Sequence, residues 1–151
     1  MLIIFDENFP QKIAEGLNLI ESTNRDTILH CEITHPYLIN KGGTEDDDWI
    51  TYAGKKDAII MTFDKDFKDI KAKGRLYNEH KVGVFFFKFD KKEKMYWQIV
   101  KLFVNNFERY VVSIFKNDDK YFFFTRVNKK GYFSLMYSMR SLAVNVLKNS
   151  H

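Results

Sequence analysis

Cysteine occurs once in the 151 residues, at Cys31, so no internal disulfide and no cysteine-based metal cluster can form. Prolines number two and glycines seven, both few. There is no internal repeat, no low-complexity segment and no linker. No apolar run approaches the roughly 20 residues that a membrane span needs. The apolar start Met1-Leu2-Ile3-Ile4-Phe5 is cut off by Asp6-Glu7 before a secretory core could form. The expected address is therefore the cytoplasm, with no membrane partner. What remains is a chain with 45% hydrophobic and 29% charged residues, the composition of a folded domain. The length is that of one domain.

Aromatics are abundant at 17%, with 15 Phe and 8 Tyr. The net charge of +4 hides an asymmetry. Residues 1–66 hold 6 basic and 13 acidic residues, a net −7. Residues 67–151 hold 18 basic and 7 acidic, a net +11. An acidic first half beside a basic second half suits a cation-binding site flanked by a surface for polyanions. Plain solubilisation of an aromatic-rich domain by lysines accounts for the charge equally well.

The order of elements is legible from periodicity. Leu2–Phe5 reads as a short buried strand, and Pro10 opens a helix over about 10–21 with Ile13, Ala14, Leu17 and Ile20 at helical spacing. Thr27–Thr34 reads as a second strand. After a loop, Thr44 is the expected N-cap of a helix over about 45–56. Ala58–Phe63 is a third strand, followed by a short helical piece near 66–73. Gly83–Phe89 is a fourth strand. Met95–Glu108 is a helix with Trp97, Val100, Leu102, Val104 and Phe107 on its apolar side. Beyond it, Tyr110–Lys116 and Tyr121–Val127 flank Asn117-Asp118-Asp119, a hairpin signal, and Tyr132–Met139 follows another turn. The alternation predicts an α/β fold, a mostly parallel sheet covered by helices on both faces. It adds an antiparallel aromatic extension over about 110–140 to a core over about 2–110, within a single domain spanning 1–151.

Sites in open α/β sheets lie at the carboxyl ends of the strands. Acidic residues collect there. Asp6 and Glu7 end the first strand, Asp64 and Asp66 follow the third, and Glu45–Asp48 open the second helix. Within that last run, Asp46 shares a face with Trp49, Ile50 and Ala53, the side expected on the sheet. Asp47 and Asp48 line up with residues expected in solvent, where first-turn acids serve the helix dipole. Asp6, Asp46, Asp64 and Asp66 are thus expected to converge. Carboxylates in close array repel, and cations relieve the repulsion. All-oxygen ligation selects Mg²⁺ or Mn²⁺, ions that promote phosphodiester hydrolysis.

The other chemistry-bearing residues are weaker candidates. His30, His35, His80 and His151 have no metal spacing and read as structural or surface residues. Cys31 reads as buried and inert. Phe85-Phe86-Phe87 and Phe122-Phe123-Phe124 have the chemistry to stack bases, but as continuous runs in strands they read first as core. Lys91, Lys92, Lys94, Lys129 and Lys130 are candidates for RNA-backbone contacts, or simply solvated surface.

Three motifs in order, Asp6-Glu7-Asn8-Phe9-Pro10, Asp46-Asp47-Asp48-Trp49-Ile50 and Thr62-Phe63-Asp64-Lys65-Asp66-Phe67, resemble the small PIN-like ribonucleases, in particular their compact toxin-like branch. The resemblance covers roughly residues 2–90. It implies a three-layer α/β/α fold with the first strand central, and an endoribonuclease dependent on Mg²⁺ or Mn²⁺. It further implies the toxin of a type II toxin–antitoxin pair, with an RNA substrate and a cognate antitoxin protein as partners. By matching position it makes Asp6, Asp46, Asp64 and Asp66 metal ligands, with Asp47 eligible in place of Asp46. Asn8 and Thr62 become auxiliary polar groups that orient water or ligands. The aromatic tail is longer than the compact pattern requires and suits dimerisation or antitoxin binding. Two rivals stand beside this reading. One is a catalytically silent PIN-like module that binds a protein or nucleic acid. The other is a Toprim-like site, which would use Glu7 rather than Asp6 and would not need Asp46.

Overall fold

The computed structural model describes residues 1–24, 30–39, 42, 45–63, 74–87, 96–116, 123–127 and 133–138. For 46, 47, 86, 113, 115, 116, 123–127 and 133–138 it describes the backbone course alone. The apolar start forms strand β1 (Leu2–Phe5). Helix α1 (Gln11–Thr23) follows, with Pro10 as its N-cap, where a missing N–H costs nothing. Ser22 and Thr23 fold their hydroxyls back onto the carbonyls of Leu19 and Ile20, and the helix stops at Asn24. Strand β2 (Glu32–Thr34) leads into a 3₁₀ turn (Pro36–Ile39). Helix α2 (Asp46–Lys55), strand β3 (Ile59–Thr62), helical residues 74–79 (α3) and strand β4 (Gly83–Phe87) come next. Helix α4 (Tyr96–Lys116) and strands β5 (Phe123–Val127) and β6 (Phe133–Ser138) complete the order.

One six-stranded sheet runs β2-β1-β3-β4-β5-β6. Every pairing from β2 to β5 is parallel, and β6 lies antiparallel against β5. Successive strand residues face opposite sides, which divides the core in two. Ile3, Phe5, Ile59, Met61, Phe85 and Phe87 face α1 and α4. Ile4, Ile60 and Val84 face Trp49, Ile50 and Ala53 of α2 and Tyr77 of α3. The three-layer α/β/α architecture and its mostly parallel sheet are therefore present.

The structure departs from the predicted elements at several points. Thr44 lies outside the described residues, and Glu45 is the N-cap of α2, with no capping bond from its side chain. In β2 the ladder starts at Glu32, and 27–29 lie outside the described residues. The helical piece expected at 66–73 also lies outside them, while 74–79 form a helix that periodicity did not indicate. The largest correction concerns 110–116. These residues are the last turns of α4, not a strand. Val111 and Ile114 favour strands, but Phe103, Phe107, Tyr110, Val111 and Ile114 all bury at helical spacing, and that packing outweighs propensity. No hairpin therefore joins 110–116 to 121–127. Instead α4 is the crossover that lets β5 lie parallel to β4. The antiparallel part is the β5–β6 pair.

Two faces also changed sides. On α4, Trp97 and Val104 are exposed, and Ile99, Leu102, Phe103 and Phe107 make the inward face. On α2, the line of Thr51 and Gly54 meets His80 rather than solvent. Thr51 Oγ1 lies 3.2 Å from His80 Nε2, and a Cβ at Gly54 would stand 2.6 Å from the His80 carbonyl oxygen.

Candidate functional site

Asp6 is the first residue past β1, at the carboxyl edge of the sheet. β1 lies second from the β2 edge of the six strands, not at the centre as the resemblance implied, because β4, β5 and β6 all add on the β3 side. Its N–H donates to the Met61 carbonyl at 2.9 Å, which carries the ladder one step beyond the strand. The chain then turns, with Phe9 N–H donating to the Asp6 carbonyl at 3.0 Å. Inside this turn the Asn8 N–H donates to Asp6 Oδ1 at 3.1 Å, and the Asn8 amide reaches Oδ2 at 3.4 Å. An aspartate that closes its own turn in this way is common in loops. The further contact comes from far along the chain. The Thr62 hydroxyl, at the end of β3, donates to Asp6 Oδ2. Asp6 is 5% exposed and Thr62 4%. A buried carboxylate needs such donors, since desolvation without them costs several kcal/mol, roughly.

Aromatic packing fixes the two chain segments that carry this pair. Phe9, three residues past Asp6, stacks on Phe63, one residue past Thr62, with ring centroids 3.7 Å apart and planes at 12°. Phe5, Phe87 and Phe103 surround Phe9 edge-on. His35, after β2, forms a third attachment. It is 1% exposed. Tyr37 N–H donates to its Nδ1 at 3.3 Å, so the ring proton sits on Nε2 and donates to the Phe9 carbonyl at 3.1 Å. Sequence reading classed His35 as structural or surface. Its signal, a histidine at the end of the second strand, does not reveal which loop it holds.

Burial holds the His35 imidazole below its ordinary range, outweighing the Phe9 carbonyl and the Glu7 carboxylate, which pull the other way. The folded protein therefore binds fewer protons here than the unfolded chain. Stability from this group is present above the unfolded imidazole value of about 6.5 and is lost as pH falls below it. Thermal melts between about pH 7 and 5 are expected to show a steeper fall for the native protein than for His35→Gln. Equal slopes would rule out a neutral, buried imidazole. Cys31, by contrast, is buried near the opposite end of β2. Burial, with Glu21 beside it, pushes its thiol up to about 12, in keeping with an inert cysteine.

The expected carboxylate set is placed unevenly. Asp6 is described in full, together with Asn8 and Thr62. Asp46 is the first residue of α2, and since β1 and β3 are parallel this helix start lies at the same edge as Asp6. Trp49, Ile50 and Ala53, the residues in line with Asp46, are buried against the sheet as expected. Asp48 is exposed. Asp64 and Asp66 lie outside the described residues, as do Lys91, Lys92, Lys94, Lys129, Lys130 and Phe122. Among the described residues no three His, Cys, Asp or Glu side chains gather as a metal site. Phe85 and Phe87 are core residues, so they stack no bases. Glu7 is exposed, whereas its neighbour Asp6 is buried.

A family model described as a PIN like domain matches residues 1–89. The chain belongs to the PIN-like domain family. No curated protein and no solved structure matches it. The PIN-like match spans β1 to β4 and takes in both Asp6 and Thr62, while α4, β5 and β6 lie beyond it. PIN-like domains are in general nucleases that use divalent metals. The donors present suit such an ion. Asp6 offers a buried, oriented carboxylate, and every candidate ligand is an oxygen. No helix among the described residues is long and apolar enough to cross a membrane.

Proposed function

We propose that this PIN-like protein is an endoribonuclease that hydrolyses RNA phosphodiesters with Mg²⁺ or Mn²⁺, and that it is the toxin of a type II toxin–antitoxin pair working in the cytoplasm. The observation that carries the reading is the Asp6 carboxylate. It is buried at the carboxyl edge of a parallel sheet and oriented by Thr62 and Asn8, in a chain of a nuclease family. Asp6, Asp46, Asp64 and Asp66 would hold the cation, with Asn8 and Thr62 fixing the Asp6 carboxylate. A bound divalent ion there supplies Lewis-acid stabilisation of the phosphate and lowers the pKa of water. The chain's own part is to keep Asp6 in one orientation, so that little reorganisation is needed when substrate arrives. The net charge of +11 over residues 67–151 favours a polyanionic strand. Exposed Leu19 and Ile20 on α1, and Trp97 and Val104 on α4, give an antitoxin or a second copy of the chain apolar surface to cover.

Incubation of the purified protein with single-stranded RNA tests the proposal. Cleavage is expected with Mg²⁺ or Mn²⁺ and is expected to stop on addition of EDTA. RNA that is bound but left intact in both metals would favour the silent binding module instead.

A further inference from the structure

The edge of the sheet that carries Asp6 also carries an aromatic ring held ready for contact. Tyr37 lies in the 3₁₀ turn after β2, and β2 runs parallel to β1, so Tyr37 leaves the sheet where Asp6 does. It is 56% exposed. It is nonetheless gripped. Its N–H is bonded to His35 Nδ1, and its ring lies nearly parallel to the imidazole, centroids 5.5 Å apart and planes at 13°. His35 in turn holds the Phe9 carbonyl, three residues from Asp6. The Gly42 backbone closes on the ring so tightly that any side chain at 42 would collide with it. A buried imidazole and a glycine backbone thus fix the ring of a residue that is still more than half exposed.

We infer that Tyr37 is a base-stacking residue, which seats a nucleobase of single-stranded nucleic acid beside the Asp6 carboxylate. This rests on the nuclease reading above and adds how the strand is held. Stacking on an aromatic ring is tolerant of sequence, because every base has a π-face. A ring already immobilised loses little freedom when it stacks. The Phe85 and Phe87 rings cannot serve, being buried. Trp97 is more exposed, at 69%. Its helical phase, however, sets it with Val104, away from the face on which Phe103 meets Phe9 and Phe63. Trp97 is therefore the control for exposed aromatic surface in general.

Fluorescence anisotropy with a fluorescein-labelled oligoadenylate tests the assignment, using Asp6→Asn protein so that the strand is not cut. In that background Tyr37→Ala is expected to weaken binding about 5- to 100-fold. Tyr37→Phe and Tyr37→Trp are expected to retain it, and Trp97→Ala to leave it unchanged. On an abasic strand of equal length, Tyr37→Ala is expected to bind as its parent does. Equal oligoadenylate binding by Tyr37→Ala and its parent overturns the inference. So does an equal loss on the abasic strand, an equal loss with Trp97→Ala, or failure of the Asp6→Asn protein to bind oligoadenylate at all. Cleavage by the native protein, measured in parallel, decides the nuclease reading separately.

Discussion

Asp6→Asn is expected to lower RNA cleavage by at least about a hundredfold, since removing an anionic ligand forfeits several kcal/mol of transition-state stabilisation. The substitution is chosen because the site can accept its shape. The Asn oxygen can take the Asn8 N–H that Oδ1 takes now, the Thr62 hydroxyl can turn to accept from the new amide, and the Asn8 side chain can flip to offer its oxygen where its NH2 now donates to Oδ2. What is lost is the charge. Hydrogen bonds to charged groups are stronger than neutral ones by about 1–2 kcal/mol, and relief from burying a charge offsets part of that. The melting temperature is therefore expected to stay within about 5 °C of the native value. Cleavage kinetics with Mn²⁺, together with a thermal melt, make the measurement. Undiminished cleavage by a folded Asp6→Asn protein would remove Asp6 from the chemistry and end the proposed mechanism.

Phe9→Ala is expected to be the most damaging of the substitutions considered, at about 3–5 kcal/mol of stability. Phe9 is 2% exposed and meets four other phenylalanine rings, of which Phe63 is stacked at 3.7 Å. The cavity would open between the β1 and β3 chain ends, where neither strand can close it without breaking the parallel ladder. A fall of about 10 °C or more in melting temperature is expected for a chain of this length. Because the same ring spaces Asp6 from Thr62, cleavage below the melting temperature is expected to fall as well. A loss under about 1 kcal/mol would show that the ring is not the clamp between the two segments.

The surroundings of the candidate site were readable where they are tied to local features. Asp6 follows an unbroken apolar strand, and Asp46 is placed by the spacing of Trp49, Ile50 and Ala53, whose burial the structure bears out. Asn8 and Thr62 came from motif likeness, and the structure sets both on the Asp6 carboxylate. His35 was not legible as a brace, because its partner Phe9 lies 26 residues away in the chain. The exposed Tyr37 was hidden for a related reason. Sequence marks a tyrosine, whereas exposure depends on whether another element covers it, and the phenylalanine runs that looked able to stack bases went into the core.

By itself the sequence determined the α/β class, the positions of β1, α1, α2, β3 and β4, and the placing of Asp6 directly after β1. Those features depend on neighbours within a turn or two, where periodicity and backbone preference speak plainly. Only the tertiary structure decided that 110–116 continue α4, that β5 lies parallel to β4, and which aromatic rings are buried. Val111 and Ile114 favour a strand in isolation. The choice fell to the sheet, because one continuous helical face over Phe85 and Phe87 removes more apolar surface from water than a detached hairpin would.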